Sequence, residues 1–212
     1  ERDSLVSRAV EIAGGLDILV NNAGYAQYAK VAVMSETFFE QTLNHYQRVP
    51  FRLSQAAIPH MRARGAGWIL NVGSVTAQPP LRPYDGFACH GGSTVYAAVK
   101  AFLNRFTQGL AAELQEEGIA VNLVAPSTAI RTPGASQYIP EEYPTEPVEY
   151  LVETALALCH RPARECTGLL AHSLHYPLAA GLRVRTLDGK GELPPPIIPP
   201  YAHPSIPVDG NC

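Results

Sequence analysis

The chain has 212 residues, of which 46% are hydrophobic and 17% charged, enough for one globular unit at roughly 100–200 residues per domain. Its 16 Lys and Arg against 19 Asp and Glu leave a formal net charge of −3 with no basic run, which argues against nucleic acid or an anionic membrane as main partner and favours small molecules. No apolar stretch approaches the roughly 18–20 residues that span a bilayer, and no basic segment followed by an apolar one reads as a leader. Cys89, Cys159, Cys166 and Cys212 have neither zinc-ligand spacing nor the look of a disulfide framework, so a cytoplasmic protein with reduced thiols is expected.

Apolar residues at Leu5, Val6, Ala9, Val10 and Ala13 mark a helix that Gly14-Gly15 stops. The chain opens at Glu1, without Met and inside what reads as this amphipathic helix, as a fragment would. Leu16–Val20 reads as a buried strand ended by the turn Asn21-Asn22-Ala23-Gly24. A long helical region follows from about Ser35 to Arg64, then Gly65 and Gly67, then a strand over Trp68–Gly73. Ser93 or Thr94 can cap a helix running to Glu117, with Gly118 ending it before a strand over Ile119–Val124. A last helix over about Pro147–Cys159 leads to a strand over Gly168–Ser173.

Continuous apolar strands alternating with helices predict an α/β fold, a doubly wound parallel sheet between helix layers. Residues 1–191 are expected to form this domain. Residues 192–212, with seven prolines in 21 residues, are expected to form an extended or disordered tail. Ligands in such sheets bind beyond the carboxyl ends of strands, which directs attention to Asn21–Gly24, Gly73–Gln78 and Ala125–Pro133.

Only three lysines occur, Lys30, Lys100 and Lys190, and Lys100 lies four residues after Tyr96. On a helix that spacing puts phenol and ammonium on one face, where the ammonium can lower the phenol pKa toward neutrality and make Tyr96 a proton donor and acceptor. An ordinary surface pair has the same spacing.

The order Asn21-Asn22-Ala23-Gly24, Asn44, Ser74, then Tyr96 with Lys100 resembles the short-chain dehydrogenase/reductase family over roughly Leu5–Ser173. The resemblance implies a Rossmann-like domain and an enzyme that moves hydride between NAD or NADP and an alcohol or ketone. It implies that Tyr96 exchanges a proton with the substrate oxygen and that Ser74 hydrogen-bonds that oxygen. Lys100 would hold the nicotinamide ribose, and Asn44 would position a water toward Lys100. It further implies that Asn22, Ala23 and Gly24 line the adenosine side of the cofactor, and that Pro126, Ser127 and Thr132 lie on the nicotinamide side. Taken singly, Ser74 could also cap a turn and Asn44 satisfy a helix carbonyl.

Four departures from the family pattern stand out. The glycine-rich turn after the first strand is not among these residues, so the first βαβ unit is missing and the stretch alone is expected to bind dinucleotide poorly and be inactive. The residue that selects NAD or NADP is missing with it. Ser74 and Tyr96 are 22 residues apart, so Ala77–Cys89 reads as an insertion that can shape a substrate pocket. Pro126-Ser127 stands where the family has Pro-Gly, and Thr132 sits one residue late.

The seven histidines are scattered, with only His172 and His175 close together, and no metal site is expected. The segment Pro133–Pro147, with Tyr138, Ile139 and Tyr143, reads as a substrate lid or a plain loop. A homo-oligomer is expected of the complete protein. The alternative from another class is a non-catalytic, dehydrogenase-like protein that uses the fold for binding or assembly.

Overall fold

The computed structural model describes residues 4–24 and 28–206. Cys212 and the end of the expected tail lie outside the described residues, as does the side chain of Tyr138. Helix α1 (Leu5–Ala13) ends at Gly14, whose φ of 76° only glycine adopts without strain and whose N–H closes on Val10 O. Strand β1 (Ile18–Asn21) begins two residues later than the sequence suggests. Its partner dictates the shift, since Ile18 pairs with Trp68 and Asn21 with Asn71.

The helix read over Ser35–Arg64 is in three pieces. Helix α2 (Glu36–Leu43) is capped by Ser35, whose hydroxyl accepts the Phe38 N–H. A π-helical segment, Asn44–Arg48, interrupts the ladder, and Val49 N–H reaches back five residues to Asn44 O. Helix α3 (Val49–Arg64) then runs to Gly65. Strand β2 (Gly67–Val72) follows, and the inserted segment holds a short helix, α4 (Gly86–His90), that the sequence did not announce. Helix α5 (Thr94–Leu114) starts without a side-chain cap from Ser93 and tightens into a 3₁₀ turn over Gln115–Glu117.

Strand β3 (Ile119–Ala125) is buried throughout. Helix α6 (Val148–Leu158) leads to β4 (Leu170–His172), shorter than the expected Gly168–Ser173, although Gly168 and Ser173 still donate to Val121 O and Ala125 O. A further helix, α7 (His175–Ala180), follows. The four strands are parallel and ordered β1-β2-β3-β4.

The alternation of side chains along each strand divides the core in two. On one face Leu19, Ile69 and Val121 pack with Ala57 and Met61 of α3 and Leu110, Ala111 and Leu114 of α5. On the other, Leu70, Val124 and Ala171 pack with Ala157 and Leu158 of α6 and Tyr176 of α7. Register puts Ile18 and Val20 on this second face, yet they remain 43% and 48% exposed.

The second helix layer thus stops short of β1, which pairs only with β2 among the described residues and so stands at the sheet edge. The 212-residue chain is expected to self-associate through this corner. Sedimentation should show concentration-dependent association that Val20→Lys weakens; a monomer at all concentrations would contradict the expectation.

Residues 192–206 carry no helix or strand and lie along the domain. Leu193 and Ile198 pack on Tyr150, Leu174 and Val184. Tyr150 Oη donates to Pro194 O at 2.9 Å, and His203 Nε2 lies 2.9 Å from Pro79 O in the insertion.

Candidate active site

The carboxyl ends of β1, β2 and β3 carry asparagine or small residues because the backbone turns away there and leaves room and polarity. A buried relay ties the first two together: Asn21 Nδ2 donates to Asn71 Oδ1 at 2.8 Å, Asn71 Nδ2 to Thr107 Oγ1 at 2.9 Å, and Thr107 Oγ1 to Leu103 O at 2.8 Å. Asn71→Ala takes the acceptor from Asn21 Nδ2 and the donor from Thr107 Oγ1, which keeps its bond to Leu103 O. Loss of buried partners costs about 1–3 kcal/mol, so urea denaturation of the variant should show a loss of that size; no change would mean the relay does not hold the strand ends.

Beyond the relay, Asn22, Ala23 and Gly24 are exposed. Gly24 lies against Tyr46, where an added Cβ would come within 3.1 Å of the phenol oxygen, and Ala23 O lies 3.0 Å from His45 Nε2. The π segment places these aromatic residues. By shifting the helical phase after Leu43 it turns Tyr46 inward while Asn44 stays half-buried at its start.

Ser74 follows β2 and caps the next turn, accepting Thr76 N–H at 3.2 Å and lying 2.8 Å from Thr76 Oγ1. Its hydroxyl faces Tyr96, whose pKa it helps to hold down. Tyr96 and Lys100, in the first turns of α5, converge on the same place. The Lys100 ammonium donates to Val72 O at 2.7 Å and stands 4.6 Å from the ring centre of Tyr46 and 5.7 Å from that of Tyr96.

The electrostatics differ from the expectation of an acidified phenol. Burial raises the Tyr96 pKa well above the usual tyrosine value, helped by Tyr46 and Tyr28, and outweighs the Ser74 hydroxyl that lowers it. Lys100 does not offset this, because its ammonium sits over the ring faces and on Val72 O, and burial lowers its own pKa to about 8.

Ser74, Tyr96 and Lys100 therefore come together, with Asn44 on the adjoining π segment. The expected nicotinamide-side residues do not join them as one exposed set. Ser127 is fully buried: its N–H donates to Ser173 Oγ and Glu146 Oε1, and its hydroxyl accepts Leu174 N–H and lies 3.0 Å from His175 Nδ1. The Glu146 carboxylate also accepts Ser173 Oγ, Thr128 N–H and Thr128 Oγ1. The turn after β3 is thus pinned from within, with Pro126 half-buried before it.

Thr132 is exposed, and its hydroxyl accepts Ala135 N–H, capping a local turn. The Pro133–Pro147 segment hangs between that turn and Glu146, whose N–H donates to Ala129 O at 2.8 Å. Among the described residues no group of three or more His, Cys, Asp or Glu could hold a metal ion, and no helix is long and apolar enough to cross a membrane.

The family model for short chain dehydrogenase matches residues 1–142. The chain belongs to this family. An uncharacterized oxidoreductase of Thermotoga maritima is 36% identical over 128 residues, 60% of this chain and 47% of that protein.

Among solved structures, the TT0495 protein of Thermus thermophilus superposes with a TM-score of 0.71 at 30% identity over 81% of this chain and 73% of that one. A short chain dehydrogenase of Burkholderia cenocepacia in complex with NADP is 38% identical, with a TM-score of 0.54 over 62% of this chain and 49% of that one. This chain spans about half the length of the curated relatives it matches. The four-stranded sheet is thus the Rossmann-type sheet of family members.

Sequence reasoning missed Tyr28 and Tyr46, whose rings meet Tyr96 edge to face, and Phe87, which meets Tyr28. It also missed the acceptor role of Glu146. Tyr46, two residues past Asn44, was legible only to a reader who knew of the π segment; nothing in the sequence pairs Glu146 with Ser127.

Proposed function

We propose that the protein is an NAD- or NADP-dependent oxidoreductase that interconverts an alcohol and a ketone, with Tyr96 as the group that exchanges the proton. The observation that carries this reading is the convergence of the Tyr96 phenol, the Ser74 hydroxyl and the Lys100 ammonium at the carboxyl end of β2. A family member solved with NADP supports the cofactor class.

The residues present fit the nicotinamide ribose half of such a cofactor. Lys100 is buried with its pKa held down by desolvation alone, so hydroxyl acceptors beside it would restore its charge. Asn21 Oδ1 is buried at the end of β1 with no hydrogen-bond partner among the described residues. Asn22–Gly24 offer an exposed turn beside it for the adenosine side. When bound, the nicotinamide supplies the hydride acceptor or donor.

The chain itself handles the proton. Its phenol, kept protonated by burial, can give a proton to an alkoxide forming at the substrate carbon, while Ser74 donates to the same oxygen as charge develops. Asn44 would position a water that returns the proton toward solvent.

The test is spectrophotometric: the intact protein is mixed with NADH or NADPH and a panel of ketones, and with the oxidised cofactors and alcohols. Oxidation of either reduced cofactor coupled to ketone loss is expected. No turnover with either cofactor, together with no binding of it, would overturn the reading in favour of a binding or assembly protein. The 212-residue chain alone is expected to bind both reduced cofactors weakly, since it holds no glycine-rich turn for the pyrophosphate; micromolar affinity in a fluorescence titration would contradict that.

The same proposal extends to the surroundings of the site and to the whole protein. The Ala77–Cys89 insertion would border the substrate pocket, residues 1–191 would act as one domain, and the complete protein would be a cytoplasmic homo-oligomer.

A further inference from the structure

Tyr96 stands in a row of rings. Tyr46 meets it edge to face at 5.4 Å, and the Lys100 ammonium lies over Tyr46, so that flank of the phenol is cationic and leads to Gly24. A second flank is built differently. Tyr28 meets Tyr96 edge to face at 5.3 Å, and Phe87 meets Tyr28 edge to face at 6.2 Å. Tyr28 comes from the segment after β1 and Phe87 from α4 of the insertion, two pieces far apart in sequence.

They are held together by backbone. Ala29 N–H donates to Gly92 O at 3.1 Å, and Gly92, at φ +69°, lies so close that an added Cβ would come within 2.8 Å of the Ala29 carbonyl carbon. On the insertion itself, Asp85 caps α4 through Ala88 N–H, and Gly91 N–H closes on Phe87 O. The wall is therefore set before any ligand arrives. It is also apolar and open: Leu81, Tyr84 and Phe87 of the insertion are each about half exposed, with Phe87 at 50%.

We propose that Tyr28 and Phe87 determine specificity, and that the substrate is a ketone or secondary alcohol with a flat apolar ring beside the reacting carbon. This inference rests on the oxidoreductase reading above. With its oxygen between Ser74 and Tyr96, such a substrate would present the ring to Tyr28 and Phe87. Rings favour edge-to-face and offset contacts with one another. A small aliphatic ketone reaches the same hydroxyls but leaves the Phe87 ring in water.

The experiment compares acetophenone with 2-butanone in the intact protein, wild type, Phe87→Ala and Phe87→Tyr. Wild type should favour acetophenone in kcat/KM by at least about tenfold beyond the ratio of the uncatalysed reductions. Phe87→Ala should lower that preference about tenfold, and Phe87→Tyr, which keeps the ring, should retain it. An unchanged preference in Phe87→Ala, or a wild-type preference for 2-butanone, would overturn the proposal.

Binding of the two ketones, followed by saturation-transfer NMR in a Tyr96→Phe background, separates this inference from the catalytic reading. Phe87-dependent binding of acetophenone without turnover in the parent protein would sustain the wall and sink the enzyme assignment. Binding that is absent, or independent of Phe87, would sink the wall.

Discussion

Tyr96→Phe in the intact protein is expected to lower turnover by a factor on the order of 10²–10⁴, the usual worth of a positioned acid or base, while fold and cofactor affinity persist. The change removes one hydroxyl and no ring, so the edge-to-face contacts with Tyr28 and Tyr46 remain. What disappears is the phenol proton that Tyr96 is proposed to exchange with the substrate oxygen. Steady-state kinetics and a separate cofactor titration check both halves of the expectation. Near-wild-type turnover would show that Tyr96 is packing, and the binding-protein reading would then be the better one.

A second large effect centres on Lys100, whose pKa burial lowers to about 8 from an ordinary 10.5. Between those values the unfolded chain holds a proton that the folded chain has released, so stability rises with pH across the window. Below it the buried charge costs the fold about 3 kcal/mol, at 1.36 kcal/mol per pKa unit. Lys100→Met removes this dependence. Subtracting the variant's unfolding free energy from that of the wild type should give a difference that climbs by about 2–3 kcal/mol between pH 8 and pH 10.

The Cys159 thiol, pushed up to about 11 by burial, bends both curves alike and cancels in the subtraction. A flat difference would mean that water reaches the ammonium. In the intact protein the same substitution is expected to weaken cofactor binding at least tenfold, because the ammonium proposed to hold the ribose hydroxyls is gone.

Much of this arrangement is legible in the residues alone. Buried parallel strands announce themselves as unbroken apolar runs, and β2 and β3 fall within a residue of where those runs lie. Tyr96, Lys100 and Ser74 stand out because, together with Asn21–Gly24 and Asn44, their order resembles the short-chain dehydrogenase pattern. What escapes depends on distant partners. The end of β1 is set by Trp68 and Asn71 across the sheet. The break in the long helix shows only as a backbone register shift at Asn44. Ser127 reads as a loop residue because nothing local reveals that Glu146, Ser173 and His175 close around it. The direction of the Tyr96 shift is missed for the same reason: a pair on one helix says nothing of the rings that desolvate it.

The side on which α6 lies has a consequence for chirality. The strands step across the sheet in sequence order, so the connections through α3 and α5, which cover one face, share a hand, and the connection through α6, which covers the other, has the opposite hand. Right-handed units make up about 98% of such connections, which makes the last one the left-handed exception. Strand twist does not guide such a unit into place. Its placement instead depends on the long 126–147 connection and on the Glu146 carboxylate that fastens it to the ends of β3 and β4. Assembly of this part therefore follows formation of the sheet through β3, and amide protons of β4 and α7 should exchange ahead of those of β2 and β3 as the exception comes undone first.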